Sequence, residues 1–283
     1  MTSLSRLAAK SYMSGRRGLA PAMLAGMALL FAAQTARTDD NDDHKPTAIS
    51  DCGTVITDPG RYFVARDLKD CPDFAISISV SHVEVELRGH TLQGTMGDNG
   101  INAKGGDTGL SELKIEGPGT ITGFLAGINF GNVHHSRVQG LVLVRNNFGM
   151  TLNSGDFTSD STAESTFSTE NEIRDNVVTA NTNHGITVNG GSQNRFIRNN
   201  LSGNGTHGLY LFSAQNNIAR ENSADMNGGS GIDIADLTGS GNQVDHNIAL
   251  GNGGPDLRDE NGGCISNTWS DNSFSTTSPS CIQ

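Results

Sequence analysis

Beyond residue 36 the sequence has no apolar run approaching the ~20 residues that a membrane-crossing helix needs. It is also poor in basic charge. Residues 1–36 hold four of the 19 Lys and Arg and none of the 30 Asp and Glu, so the remainder carries 15 cations against 30 anions, a formal charge of −15. Such a surface repels phosphate backbones and anionic lipid, which argues against a nucleic-acid partner. An anionic polysaccharide is repelled as well, unless a bound cation intervenes. Cysteines number four, two near each end of the chain, and there is a single tryptophan. Helical periodicity is missing: apolar residues alternate with period two, and Gly or Asn interrupts the chain every few residues.

What the sequence does have is repetition. Asn176, Asn199, Asn222, Asn247 and Asn272 lie 23, 23, 25 and 25 residues apart, and Asn181, Asn204, Asn227 and Asn252 keep step five residues later. Gly185, Gly208 and Gly231 each precede an apolar–x–apolar triplet: Ile186-Thr-Val188, Leu209-Tyr-Leu211 and Ile232-Asp-Ile234. Independent residues sharing one period describe a coil with one turn per repeat. With period-two alternation, each turn is two or three short strands joined by bends, and successive turns stack at ~4.8 Å into parallel sheets. A buried bend Asn then hydrogen-bonds to its copies above and below. The expected fold is all-β, a single-stranded parallel β-helix in one domain.

The ends frame that domain. Residues 1–36 read as an export signal, with Lys10, Arg16 and Arg17 ahead of the uncharged run from Gly18 to Ala36. Residues 37–50 form an acidic linker, and the β-helix occupies 51–283. An exported chain, periplasmic or secreted, permits cystines, and the end coils of a solenoid lack core on one side. Pairs Cys52–Cys71 and Cys264–Cys281 are therefore expected as clamps; the other two connectivities would span the whole helix. Asn153 to Glu170 lengthens one coil with Ser and Thr, so it must bulge outward as a loop. Ile218 stands one place out of register, which predicts a bulge there. Trp269 falls at the core slot of Ile173, Phe196 and Val244.

The pattern Gly-apolar-x-apolar, then Asn-x-apolar-x-x-Asn, resembles the right-handed parallel β-helix repeat of the pectate-lyase-like superfamily. The stretches Val85-Glu-Leu87-Arg-Gly89-His90-Thr91-Leu92 and Asn267-Thr-Trp269…Asn272-Ser-Phe274 resemble exported bacterial members related to copper-chaperone-type and mannuronan-epimerase-type repeats. The resemblance implies right-handedness and a polymer-binding groove over one sheet. It implies no particular activity. The Asp-Pro-His element of alginate epimerases, the Arg-x-Pro-x-x-Arg run of pectate lyases and the Arg-x-Lys element of polygalacturonases are absent.

Outward positions of the Gly-led strands are where a groove would carry chemistry. Between the apolar residues stand Asn129, Thr151, Thr187, Tyr210 and Asp233; just before the glycines stand Phe148, His184, His207 and Ser230. His184, His207, Tyr210 and Asp233 form the candidate catalytic set, since abstracting a proton beside a uronate carboxyl needs a base and an acid of these types. A structural ladder of stacked rings is the alternative. Asn129, Thr151 and Thr187 are candidate binding residues. Asp233 with Asp236 offers hard oxygens for Ca²⁺, the one cofactor left open. Arg198, 23 residues from both Asp175 and Glu221, reads as a salt-bridge ladder. The resulting expectation is a monomeric exported protein that binds polysaccharide or cell-surface glycan. A uronate lyase or C5-epimerase is the alternative, and a periplasmic metal-binding accessory protein ranks third.

Overall fold

The computed structural model describes residues 45–155, 167–261 and 264–283. The expected leader, residues 37–44 of the linker and residues 156–166 of the insertion lie outside the described residues. Strands of two to six residues stack in parallel into three faces. One ten-stranded sheet runs from Thr47–Ile49 to Thr268–Ser270, and a second from Thr54–Ile56 to Thr277–Ser278. The third face is a five-stranded sheet from Leu68–Cys71 to Val177–Thr179, continued through single bridges at Asn200 and Ser223 to Ile248–Ala249.

The domain begins earlier than the sequence suggested. Thr47–Ile49 pairs with Gly60–Val64 and buries Ile49, so the end of the acidic stretch is the first strand and not linker. The expected bulge at Ile218 does not form. Arg195 pairs with Ile218 and Phe196 with Ala219 in unbroken register, so Ala219 takes the inward slot opposite the bulky Phe196 while Ile218 faces outward. Trp269 takes the inward slot beside Val244. Cys52 is joined to Cys71 and Cys264 to Cys281, with Cα–Cα distances of 5.4 and 6.1 Å.

Apolar residues from every coil fill the interior. Through the second ten-stranded sheet, Ile128, Met150, Ile186, Leu209, Ile232 and Leu257 stack in one inward file. Phe130, Leu152, Val188, Leu211 and Ile234 make the next, which ends at Asp259. That carboxylate closes the core because Asn267 and the Trp269 indole N–H donate to it.

Three buried files of asparagine hold the corners. Besides the two evident in the sequence, Asn171, Asn194, Asn217, Asn242 and Asn267 form a third with the same 23- and 25-residue steps. In each file the Oδ1 accepts both the backbone N–H and the side-chain amide of the Asn one coil earlier. For Asn199, whose Oδ1 receives Asn176, these distances are both 3.1 Å. Along the file from Asn176 to Asn272, the residue before each ladder Asn takes the left-handed conformation. Asp175, Arg198, Glu221, His246 and Asp271 all have φ between 53° and 59°. Only glycine adopts that conformation readily; here the ladder hydrogen bonds over-determine the bend. The first three of those five residues also alternate in charge along the outside. Arg198 lies 2.8 Å from Asp175 and 3.9 Å from Glu221, as read from the sequence, and His246 extends the file to Asp271.

Candidate functional site

Period-two alternation turns every second residue of the second ten-stranded sheet outward. Its central outward column is Asn102, Asn129, Thr151, Thr187, Tyr210, Asp233 and Arg258, each in register with the next. A parallel column two residues on carries Lys104, Gly131, Asn153, Asn189 and Phe212. Over these columns lies an open groove of about 630 Å³. It brings together five of the candidate residues, Asn129, Thr151, Thr187, His184 and Tyr210, but not His207 or Asp233.

Asn129 and Thr151 form the floor and are mostly committed to each other. The Asn129 amide donates to Asn102, while its Oδ1 accepts from the Thr151 hydroxyl at 2.7 Å and the Asn153 amide at 3.1 Å. Asn189 in turn donates to Asn153 at 2.6 Å. The Thr187 hydroxyl is buried and has no hydrogen-bond partner among the described protein atoms. The half-buried Asn153 and Asn189 and the exposed Leu125 line the groove without having been singled out in the sequence, whereas the half-buried Phe148 stands at one of the outward positions named there. The asparagines stand two places beyond Thr151 and Thr187, so strand alternation could have found them.

At one end of the groove the rings of His184 and Tyr210 stack with centroids 4.6 Å apart and planes 4° apart; His207 lies 5.1 Å from His184. The next coil fixes the histidine tautomers. His184 Nδ1 accepts from the Thr206 hydroxyl and the His207 backbone N–H, and His207 Nδ1 accepts from the Ser230 backbone N–H at 2.8 Å. Each neutral imidazole therefore carries its hydrogen on Nε2. Burial, with His207 close by, pushes His184 down to about 4. Burial, with Arg258 close by, lowers His207. Burial and Asp233 raise the Tyr210 phenol. At neutral pH His184 is thus a hydrogen-bond donor with no lone pair free on either nitrogen, which is unsuited to general-base work.

Asp233 does not reach the groove. Its side chain is fully buried beneath its neighbours, with Oδ2 3.3 Å from Arg258 and 3.5 Å from His207 Nε2, and Oδ1 without a partner among the described residues. Burial pushes this carboxyl up to about 6 against the pull of Arg258. Its carboxylate faces Arg258 and His207 and presents no surface to the groove. Asp236, its proposed partner for Ca²⁺, is turned instead to the hydroxyls of Ser213 and Thr238. The pair shares no partner, and a guanidinium supplies the cation beside Asp233. Among the described residues no three His, Cys, Asp or Glu side chains converge as metal ligands. The insertion leaves the coil at Ser154 and Gly155 on the groove wall and returns at Phe167, which is bridged to Ser154.

The right handed beta helix region model matches residues 77–278. The chain belongs to that family. No curated protein sequence matches it. Among solved structures, a double mutant of the periplasmic alginate epimerase AlgG is 14% identical over 79% of this chain and 71% of that one, with a TM-score of 0.50. A single mutant of AlgG is 17% identical over 76% and 51%, with a TM-score of 0.53. The A-module of mannuronan C-5 epimerase AlgE4 from Azotobacter vinelandii is 13% identical over 81% and 76%, at 0.49. Identities this low speak to the fold alone. No helix among the described residues is long and apolar enough to cross a membrane.

Proposed function

We propose that this is an exported β-helix protein that binds an extended polysaccharide along the groove without converting it. The observation that carries the reading is the open groove itself, floored by a hydrogen-bonded column of Asn and Thr and ending against stacked rings. Concave sites with a few oriented polar groups and aromatic walls are the usual form of ligand sites. Two disulfides suit an oxidising compartment. Structural neighbours named as alginate epimerases support a polysaccharide partner for the fold.

The second reading, a uronate lyase or C5-epimerase, has one observation in its favour: a phenol and an imidazole adjoin in the groove. Against it, both histidines accept at Nδ1 from the next coil, and the raised Tyr210 is a poor base at neutral pH. Affinity electrophoresis against a panel of neutral and acidic polysaccharides tests the proposal. Retardation lost in Tyr210→Ala, with no unsaturated ends by ultraviolet absorbance and no epimerised residues by proton NMR, is expected. Retardation by nothing in the panel, or turnover that vanishes in Tyr210→Phe, overturns it.

A further inference from the structure

We infer that the groove selects an uncharged, hydroxyl-rich glycan over a polyuronate; this rests on the polysaccharide-binding reading above. Charge comes first. Among the described residues that line the groove, the formal charges are Asp98 and Lys104, which oppose each other even with the lysine counted as a full cation. Asp98 also accepts a hydrogen bond from Asn99 at 2.8 Å. His184 is neutral. The next cation along the column, Arg258, already faces Asp233 and Glu260. A polyuronate would bring a carboxylate every residue into a groove with no net positive charge, on a chain that is strongly acidic. Desolvating unpaired carboxylates is costly.

The polar groups that are present suit hydroxyls. Asn153 donates to Asn129 and accepts from Asn189, which leaves each side-chain amide with further donor or acceptor capacity toward the groove. A sugar hydroxyl both donates and accepts, as an amide does; a carboxylate only accepts. His184 adds an Nε2–H. The half-buried faces of Tyr210 and Phe148 and the exposed Leu125 present apolar surface to the C–H face of a pyranose ring.

Calorimetric titration with cellohexaose and mannohexaose, against hexamers of mannuronate, guluronate and galacturonate, decides the matter. Each is run at low and high salt and with and without Ca²⁺. An uncharged hexamer is expected to bind at least about tenfold more tightly than any uronate, with affinity unmoved by salt. Asn153→Ala combined with Asn189→Ala should weaken that binding about tenfold, whereas Lys114→Gln, on the first ten-stranded sheet and away from the groove, should leave it unchanged; thermal melts check that both variants fold. If a uronate binds more tightly, in a salt-sensitive or Ca²⁺-dependent way, the selectivity is overturned while polysaccharide binding stands. If no hexamer of either class binds, both readings fall together.

Discussion

Asparagine does two jobs in this molecule, and the contrast between the corner files and the groove column shows how position decides which. At a corner, all capacity is used inside. The Asn199 amide donates to Ile173 O and to Asn222 Oδ1, and its own Oδ1 takes two donors from Asn176. In the groove, Asn129, Asn153 and Asn189 make the same coil-to-coil contact through one amide hydrogen each. They stand on an outward strand position, so what remains unused faces the groove. The same side chain is scaffold where backbone surrounds it and a contact surface where it does not.

The largest effect should come from breaking a corner. Asn199→Ala leaves the Asn176 backbone N–H and one of its side-chain amide hydrogens buried without an acceptor, each costing ~1–3 kcal/mol, so a loss of ~3–5 kcal/mol is expected in urea melts. Asn189→Ala, which removes one half-buried hydrogen bond, should cost about 1 kcal/mol or less. Equal losses at the two sites would collapse the distinction.

A file must also end, and it ends on an acceptor. Asn252 donates its backbone N–H and its amide to Asp256 Oδ1, and Ser275 and Thr276 donate to Oδ2. Burial alone would raise this carboxyl, but these hydrogen bonds outweigh it and hold it below its ordinary range. A depressed carboxylate contributes stability that is present above its unfolded value of ~3.9 and is lost as pH falls through the folded value. Asp256→Asn should therefore be less stable at neutral pH and should lose less on acidification than the parent, measured by melts from pH 7 downward. An unchanged acid limb would show that the cap is not what holds the last coil.

Corner and groove differ too in what the sequence discloses. Two asparagine files were plain from spacing, and the third, from Asn171 to Asn267, carries the same signal. The outward column was likewise legible, because alternation fixes which residues share a face. What was illegible depends on the neighbouring coil. The histidine tautomers follow from the backbone N–H groups of His207 and Ser230, and the burial of Asp233 from the residues packed over it. Thr47–Ile49 is three residues with no period to detect. At Ile218 side-chain size is a poor guide to direction, because the register with Phe196 turns the small Ala219 inward and Ile218 outward.

The ring cluster provides a smaller effect, with opposing signs. His184 is depressed to about 4, so the unfolded chain binds the extra proton between that value and ~6.5, and this group makes stability rise with pH across the interval. Asp233 is raised to about 6, so the native state binds the extra proton between ~3.9 and that value, and it makes stability fall with pH there. The two nearly cancel between pH 4 and 6. Asp233→Asn should unmask the histidine, so that stability climbs with pH across this window more steeply than in the parent. A slope in the variant no steeper than the parent's would place the histidine's titration back near its ordinary ~6.5.

The smallest effect belongs to a hydroxyl of the groove floor that has no partner among the described residues. Thr187 sits between Thr151 and Tyr210, and its Oγ1 is buried without a partner among the described residues. An unsatisfied buried hydroxyl costs ~1–3 kcal/mol by removal from water. Thr187→Val keeps the shape and deletes that cost, so it should leave stability unchanged or raise it by about 1 kcal/mol, with glycan affinity altered less than twofold. The same exchange at Thr151, whose hydroxyl donates to Asn129, should instead lower both, since Asn129 then loses a donor and Asn153 is held less firmly. If Thr187→Val weakens glycan binding as much as Thr151→Val does, the covered hydroxyl is reached by the ligand after all, and the groove floor rearranges when it binds.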